Sequence, residues 1–194
     1  MADLKKPNLG VTVEVTLEDF LGVNIDRRRD GRIHLKQPHM IYQIVKELGQ
    51  DNCKTPYKSI PAQTSKIIHH HKQSENYDKI IHYRIVVDNL NYLENFCRPD
   101  IAYATHQCAC FSVNPKRQYT KPLHHLERYL TGTMNKGTIY CLKTDKGLEI
   151  HVDADFIENW DKGDSENTDT AGSKQGFVIF YKGLPIVWKS SLQT

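Results

Sequence analysis

The sequence predicts an α+β fold in three parts: a β-hairpin plus helix, a three-helix connection, and an incomplete mixed sheet. Three observations carry that reading. Apolar residues alternate with polar ones on both sides of an Asp30-Gly31 turn signal. From Ile41 to Leu130 they recur at three- and four-residue spacing, in segments separated by prolines and polar stretches. After Gly137 the two-residue period returns. The corresponding parts are residues 1–79, 80–136 and 137–194.

Composition narrows the class. A hydrophobic share of 39% beside 25% charged residues is that of an ordinary water-soluble domain. No run of 18 apolar residues occurs, and Met1 to Gly10 lacks the apolar core of a signal peptide. The expected setting is cytoplasmic or nuclear, with no membrane partner. Five cysteines without a CxxC pair argue against a disulfide framework.

The elements follow in order. Phe20 to Asp26 and Arg32 to Leu35 alternate around Asp30-Gly31 as a hairpin. Pro38 stands where a first helical residue would, and Ile41, Ile44, Val45 and Leu48 share one helical face before Gly49 ends it. Residues 50–79 read as a linker with an extended piece near Cys53 to Ile60; its three consecutive histidines, His69 to His71, do not share a face and read as solvated loop. His82 to Phe96 carries Ile85, Val86, Leu90 and Leu93 on one side. Pro99 opens the next helix, with Ile101, Ala104, Cys108 and Phe111 inward. A third helix spans about Asn114 to Leu130, with Leu123, Leu126 and Leu130 inward; Pro122 kinks it or marks its start, with Thr120 as cap. Thr138 to Leu142 is expected to pair with Leu148 to Asp153, and Phe177 to Tyr181 with Ile186 to Trp188 about Gly183, in a sheet that no later helix covers.

The candidate chemistry sits on Leu148 to Phe156. Alternation puts Asp153 and Asp155 on one face of a strand, and carboxylates aimed off a rigid sheet suit a hard divalent cation such as Mg²⁺ or Mn²⁺. A zinc module built on His106, Cys108, Cys110, His124 and His125 fails on spacing: Cys108 and Cys110 are two apart on a helix and point in different directions. Charge is uneven. Residues 51–147 hold 14 Lys and Arg against 8 Asp and Glu, a balance of +6, whereas residues 148–194 hold 4 against 8, a balance of −4. A basic block beside an acidic cluster suits a nucleic-acid track leading to a metal site, with Lys116, Arg117, Lys121 and Arg128 as phosphate contacts. A solvated helix face accounts for the same cations equally well.

Over nearly its whole length the chain resembles the Pol polyprotein of copia-type LTR retrotransposons. The resemblance rests on five stretches in the family's order: LEDFLGVNI with DGRIHLKQPH, LNYLENFCRPDIAYATHQCA, HLERYLTGT, VDADF and PIVWKSSLQT. It implies the end of a reverse transcriptase (a thumb-like segment), the connection, and the first strands of an RNase H-like sheet. The FLG stretch resembles a primer grip, which makes Phe20, Leu21 and Gly22 nucleic-acid contacts. Asp153 resembles the first catalytic carboxylate of RNase H, with Asp155 as a neighbouring metal ligand; the implied cofactor is Mg²⁺ or Mn²⁺ in the intact parent, and the implied partners are an RNA–DNA hybrid and the rest of the polyprotein.

Departures from the family are equally legible. No Asp-Asp pair occurs, Asp88 and Glu158 replace usual glycines, and Cys110 stands where arginine is common. With Pro122 they read as a decaying copy. The chain by itself is therefore expected to lack both activities, either as a polyprotein fragment or as a non-catalytic remnant that binds nucleic acid weakly through its basic helices.

Overall fold

The computed structural model describes residues 18–49, 56–62, 75–77, 79–143, 145–155 and 173–192, with Ile80, Ile81, Asp155 and Leu192 described as backbone alone. The Asp30-Gly31 signal does form a turn. Arg28 N donates to Arg32 O at 2.8 Å and Gly31 N to Arg28 O at 3.0 Å, and Gly31 takes φ 80. This five-residue connection joins β2 (Val23–Arg27) to β3 (Ile33–Lys36) in antiparallel register. A shorter strand that the sequence does not announce, β1 (Asp19–Phe20), folds back onto β2 through Leu21-Gly22.

Helix α1 (Pro38–Glu47) starts on its proline and buries Ile41, Ile44 and Val45; Gly49 follows at φ 67, a left-handed exit that favours glycine. Helix α2 (Ile80–Phe96) buries Tyr83, Val86, Val87, Leu90 and Leu93. Ile85, expected on that face, is exposed instead. At about 100° per residue it lies a quarter-turn from Val86, on the flank of the buried stripe. A 3-10 turn (Pro99–Ile101) leads into α3 (Ala102–Ala109), and Ile101, Ala104, Cys108 and Phe111 are buried as their spacing predicts.

The next helix begins later than its pattern indicates. A 3-10 turn (Arg117–Tyr119) precedes α4 (Thr120–Gly132), so Pro122 falls in the first turn, where a missing N–H costs little, and no kink is needed. Thr120 is the first helical residue rather than the cap; its Oγ1 donates to Arg117 O at 2.8 Å. Leu123, Leu126 and Leu130 close a core to which all four helices contribute. That core therefore crosses position 79, drawing α1 together with α2, α3 and α4.

Strand pairing departs from expectation at β4 (Thr138–Tyr140). It joins β3, with Leu35 opposite Thr138, and gives a four-stranded antiparallel sheet in the order β1-β2-β3-β4. Helix α4 ends close enough that the chain re-enters beside β3 within five residues. Gly137 makes the approach possible, since a Cβ there would stand 1.9 Å from Leu35 O. The remaining strands, β5 (Leu148–Asp155), β6 (Lys174–Tyr181) and β7 (Leu184–Leu192), form a second sheet that is antiparallel among the described residues, not mixed. Lys182-Gly183, at φ 50 and 74, turns β6 into β7.

This second sheet is covered on one face. Trp188 Nε1 donates to Glu94 O at 3.1 Å and Lys174 Nζ to Tyr103 OH at 3.3 Å, so helices earlier in the chain provide a cover that was not anticipated. Leu148, Ile150, Val152, Tyr181 and Val187 share the opposite face by register and are exposed.

Two carboxyl groups are shifted in opposite directions by their surroundings. Burial pushes the Asp100 carboxyl up, but hydrogen bonds from Arg98 and Tyr129, the Arg98 charge and a bond from Lys136 outweigh it and hold the pKa at about 2. Its stabilisation is present above the ordinary value of 3.8 and is lost as pH falls toward about 2. Arg98→Ala leaves that carboxylate half-buried without its main partner. We expect a loss of about 3–5 kcal/mol in urea unfolding at neutral pH, and a smaller loss at pH 2. Glu94 behaves oppositely: burial raises its carboxyl from 4.5 to about 7, and its Oε2 has no hydrogen-bond partner. The Glu94 contribution to stability should therefore decline as pH rises from about 4.5 through about 7, against the opposite contribution of buried His34 and half-buried His106 and His124. Relative to the unaltered chain, Glu94→Gln should gain stability as pH rises across the window in urea midpoints; a pH-independent difference would show that Glu94 does not titrate there.

Candidate functional site

Three surfaces hold the residues singled out from sequence. The first is the Leu21-Gly22 turn. Both residues have positive φ, 52 and 74, the geometry of a tight two-residue hairpin loop, and Gly22 N donates to Asp19 Oδ1 at 3.3 Å. The turn leaves Phe20 56% and Leu21 63% exposed. Tyr92 of α2 donates from its hydroxyl to Leu21 O at 2.5 Å and packs against Phe96 with ring centroids 4.5 Å apart. An exposed apolar tip is thus pinned to a helix 71 residues away in sequence. Sequence reasoning missed Tyr92 and also His39, whose ring would stand 3.1 Å from a Cβ at position 22. Period alone cannot reveal a partner that far along the chain.

The second surface is the basic one. Lys116 Nζ donates to Asn76 Oδ1, and Arg117 pairs with Glu75 at 3.2 Å. Arg128 Nε donates to His124 O at 3.1 Å. Lys121 is exposed and, among the described residues, has no hydrogen bond or ion pair. The four cations lie on or just before α4, but three are engaged locally. The Arg117–Glu75 pair is 77% exposed on both sides, a setting in which such pairs contribute little, so a phosphate can compete for it.

The third surface is a cleft between the inner face of the second sheet and the 3-10 turn that precedes α3. Asp153 lines it with Pro99, Tyr103, His151, Gly176 and Trp188. Asp153 stands opposite Gly176 in the ladder, so no side chain covers its carboxylate from the neighbouring strand. Asp155 continues the same face opposite Lys174, but its side chain lies outside the described residues. Asp100 also lines the cleft, yet its oxygens are taken by Arg98 at 2.9 and 3.0 Å and by Tyr129 at 2.6 Å. Among the described residues no three His, Cys, Asp or Glu side chains stand close enough to hold a metal ion. Asp153 is exposed on the face that lines this cleft. His69 to His71, Glu158 and Trp160 lie outside the described residues.

The cysteines follow their helical positions. Cys108 is buried, with its thiol pushed up to about 12 by that burial, whereas Cys110 is exposed with Sγ 3.8 Å from His106 Nε2. No helix among the described residues is long and apolar enough to cross a membrane.

Over about nine-tenths of its length the chain is homologous to retrovirus-related Pol polyproteins of copia-type transposons, at 25–29% identity. It is 29% identical over 177 residues to the Pol polyprotein from transposon RE1 of Arabidopsis thaliana and 28% identical over 181 residues to that from transposon TNT 1-94 of Nicotiana tabacum, covering 91% of this chain in each case. It is 25% identical over 174 residues to the putative transposon Ty5-1 protein of Saccharomyces cerevisiae, covering 90% of this chain. The match spans 11% of the RE1 polyprotein, 13% of the TNT 1-94 polyprotein and 53% of the Ty5-1 protein. No protein-family model matches the chain, and no solved structure gives a significant match.

The turn geometry yields a direct test. Gly22→Ala puts a Cβ 3.1 Å from the His39 ring in a left-handed conformation. The expected cost is about 1–2 kcal/mol, read as a lower urea midpoint, and Tyr92 fluorescence should change as its bond to Leu21 O loosens. Unchanged stability would show that β1 and its turn contribute nothing to the fold.

Proposed function

We propose that this chain is a stretch of a retrotransposon Pol polyprotein that handles a nucleic-acid duplex, spanning the end of a reverse transcriptase, its connection and the first strands of an RNase H-like domain. One observation carries the reading. The exposed Phe20-Leu21-Gly22 turn, held rigid by its dihedrals and by Tyr92, lies in a chain homologous along most of its length to Pol polyproteins. A rigid apolar tip with a glycine allows the sugar and base at a strand end to approach the backbone closely. The parent activities are RNA-directed DNA synthesis and cleavage of the RNA strand in an RNA–DNA hybrid.

Asp153 fits the role of one metal-ligating carboxylate on the sheet. In the parent a Mg²⁺ or Mn²⁺ pair would activate water and stabilise the leaving oxygen. What this chain contributes is a fixed oxygen donor, with Gly176 leaving the carboxylate open and Tyr103 and Trp188 walling the cleft. Asp100 is not available as a second ligand, because releasing it would strip buried Arg98 of its counter-charge. The rest of the polyprotein is then the partner that completes the site.

The isolated chain is expected to bind hybrid duplex and not to cleave it. Fluorescence anisotropy with a labelled 12-base-pair RNA–DNA hybrid at low salt should show binding. A cleavage assay in Mg²⁺ or Mn²⁺ should give background rates, identical for the chain and for Asp153→Asn. Cleavage that vanishes in Asp153→Asn would show that carboxylates of this chain suffice. Absence of binding at low salt would sink the reading.

A further inference from the structure

Three cations stand apart from the basic helices. Arg27 ends β2, and Arg28 and Arg29 open the turn that leads to β3; all three are exposed, and none has a hydrogen bond or ion pair from its side chain among the described residues. Their basic neighbours are already neutralised, Arg32 by Asp30 at 2.5 Å and Lys36 by Asp26 at 2.6 Å. The turn is rigid, closed by two backbone hydrogen bonds with Gly31 in the left-handed region, and its hairpin is held by β4 on the other side. Three guanidinium groups without a side-chain hydrogen bond or ion pair among the described residues, although the Arg28 charge is felt by Asp26 and Asp30, contrast with the α4 surface, where three of four cations already have partners.

We propose that the Arg27-Arg28-Arg29 turn is a second phosphate-binding point, gripping the backbone of a duplex whose end lies at the Phe20-Leu21-Gly22 turn. The two turns stand at opposite ends of β2, and the six steps from Gly22 to Arg28 span about 20 Å at 3.3–3.4 Å per residue. A duplex laid along the hairpin rises about 3.4 Å per base pair and reaches the arginines about six base pairs from its end. Guanidinium forks match phosphate oxygens two at a time, which makes a phosphate backbone the ligand their chemistry fits. This inference rests on the proposal that the chain binds duplex at all, and it adds where the phosphates are held.

Salt titrations test it. With a blunt 12-base-pair hybrid, the slope of log affinity against log salt should flatten by about 2–3 in R27Q/R28Q/R29Q, because each phosphate contact contributes about 0.9. R27K/R28K/R29K should restore the slope, and Lys121→Gln should flatten it by at most about 1. With a hairpin-capped four-base-pair duplex, too short to reach the turn, the triple Gln variant and the unaltered chain should bind alike. Should the triple variant fold poorly by circular dichroism, R28Q/R29Q carries the test with a flattening of about 2. An unchanged slope on the long duplex, with binding otherwise intact, would overturn the inference and leave the functional proposal standing. Equal losses on both duplex lengths and on heparin would overturn it too, as a general polyanion surface. No binding by the unaltered chain would overturn both.

Discussion

Residues 97 to 100, where α2 ends, form the node on which the other elements depend. Arg98 is buried with its guanidinium bonded to Asp100, to Thr133 O at 3.1 Å and to Thr133 Oγ1 at 2.8 Å. Asp100 in turn accepts from Tyr129, which also receives a bond from Lys136. These contacts lock the start of α3 to the end of α4. One residue earlier, Cys97 O accepts from Thr138 Oγ1 at 3.0 Å and Cys97 Sγ donates to Gln37 Oε1 at 3.2 Å. The same short segment therefore fastens β4 and the entrance to α1. A guanidinium can be buried only with a full set of acceptors, and assembling them requires several elements to arrive together.

Around that node the two candidate sites take different kinds of support. The Leu21-Gly22 turn is stiff because its own dihedrals are those of a tight hairpin and because Tyr92 reaches its carbonyl from α2. Asp153 depends instead on the docking of a whole sheet. The Trp188 indole and Lys174 hold that sheet against α2 and α3, while its far face stays apolar and exposed. A carboxylate ligand for a hard cation needs a rigid base but also further oxygens. The docked sheet gives Asp153 a fixed position in the proposed site, and the neighbouring Asp100 is committed to the structural node instead.

Electrostatics separate cations that hold the fold from cations free to meet a ligand. Arg98 and Lys136 serve the node, and Lys116, Arg117 and Arg128 have local partners. Counting Lys and Arg along the chain points to residues 51–147 as the basic region. Once pairing is considered, three consecutive arginines without a side-chain hydrogen bond or ion pair among the described residues stand at the β2–β3 connection, in a segment whose overall charge is nearly balanced.

Much of the architecture was legible in the sequence because it rests on local physics. The Asp30-Gly31 turn, Pro38 at the start of α1, Gly49 after it, and the buried stripes of α3 and α4 follow from backbone preference and from period, which residues carry individually. The homology to Pol polyproteins was legible too, in the order of its motifs. Only the tertiary structure decided that β4 pairs with β3, that Ile85 faces outward, that earlier helices cover one face of the last sheet, and which arginines remain unpaired. Each of these depends on a partner far away in the chain: Gly137 fitting against Leu35, Trp188 reaching Glu94, Glu75 meeting Arg117. Period and propensity are properties of a segment, whereas pairing is a property of two segments brought together, and that choice is made by the packing of the whole.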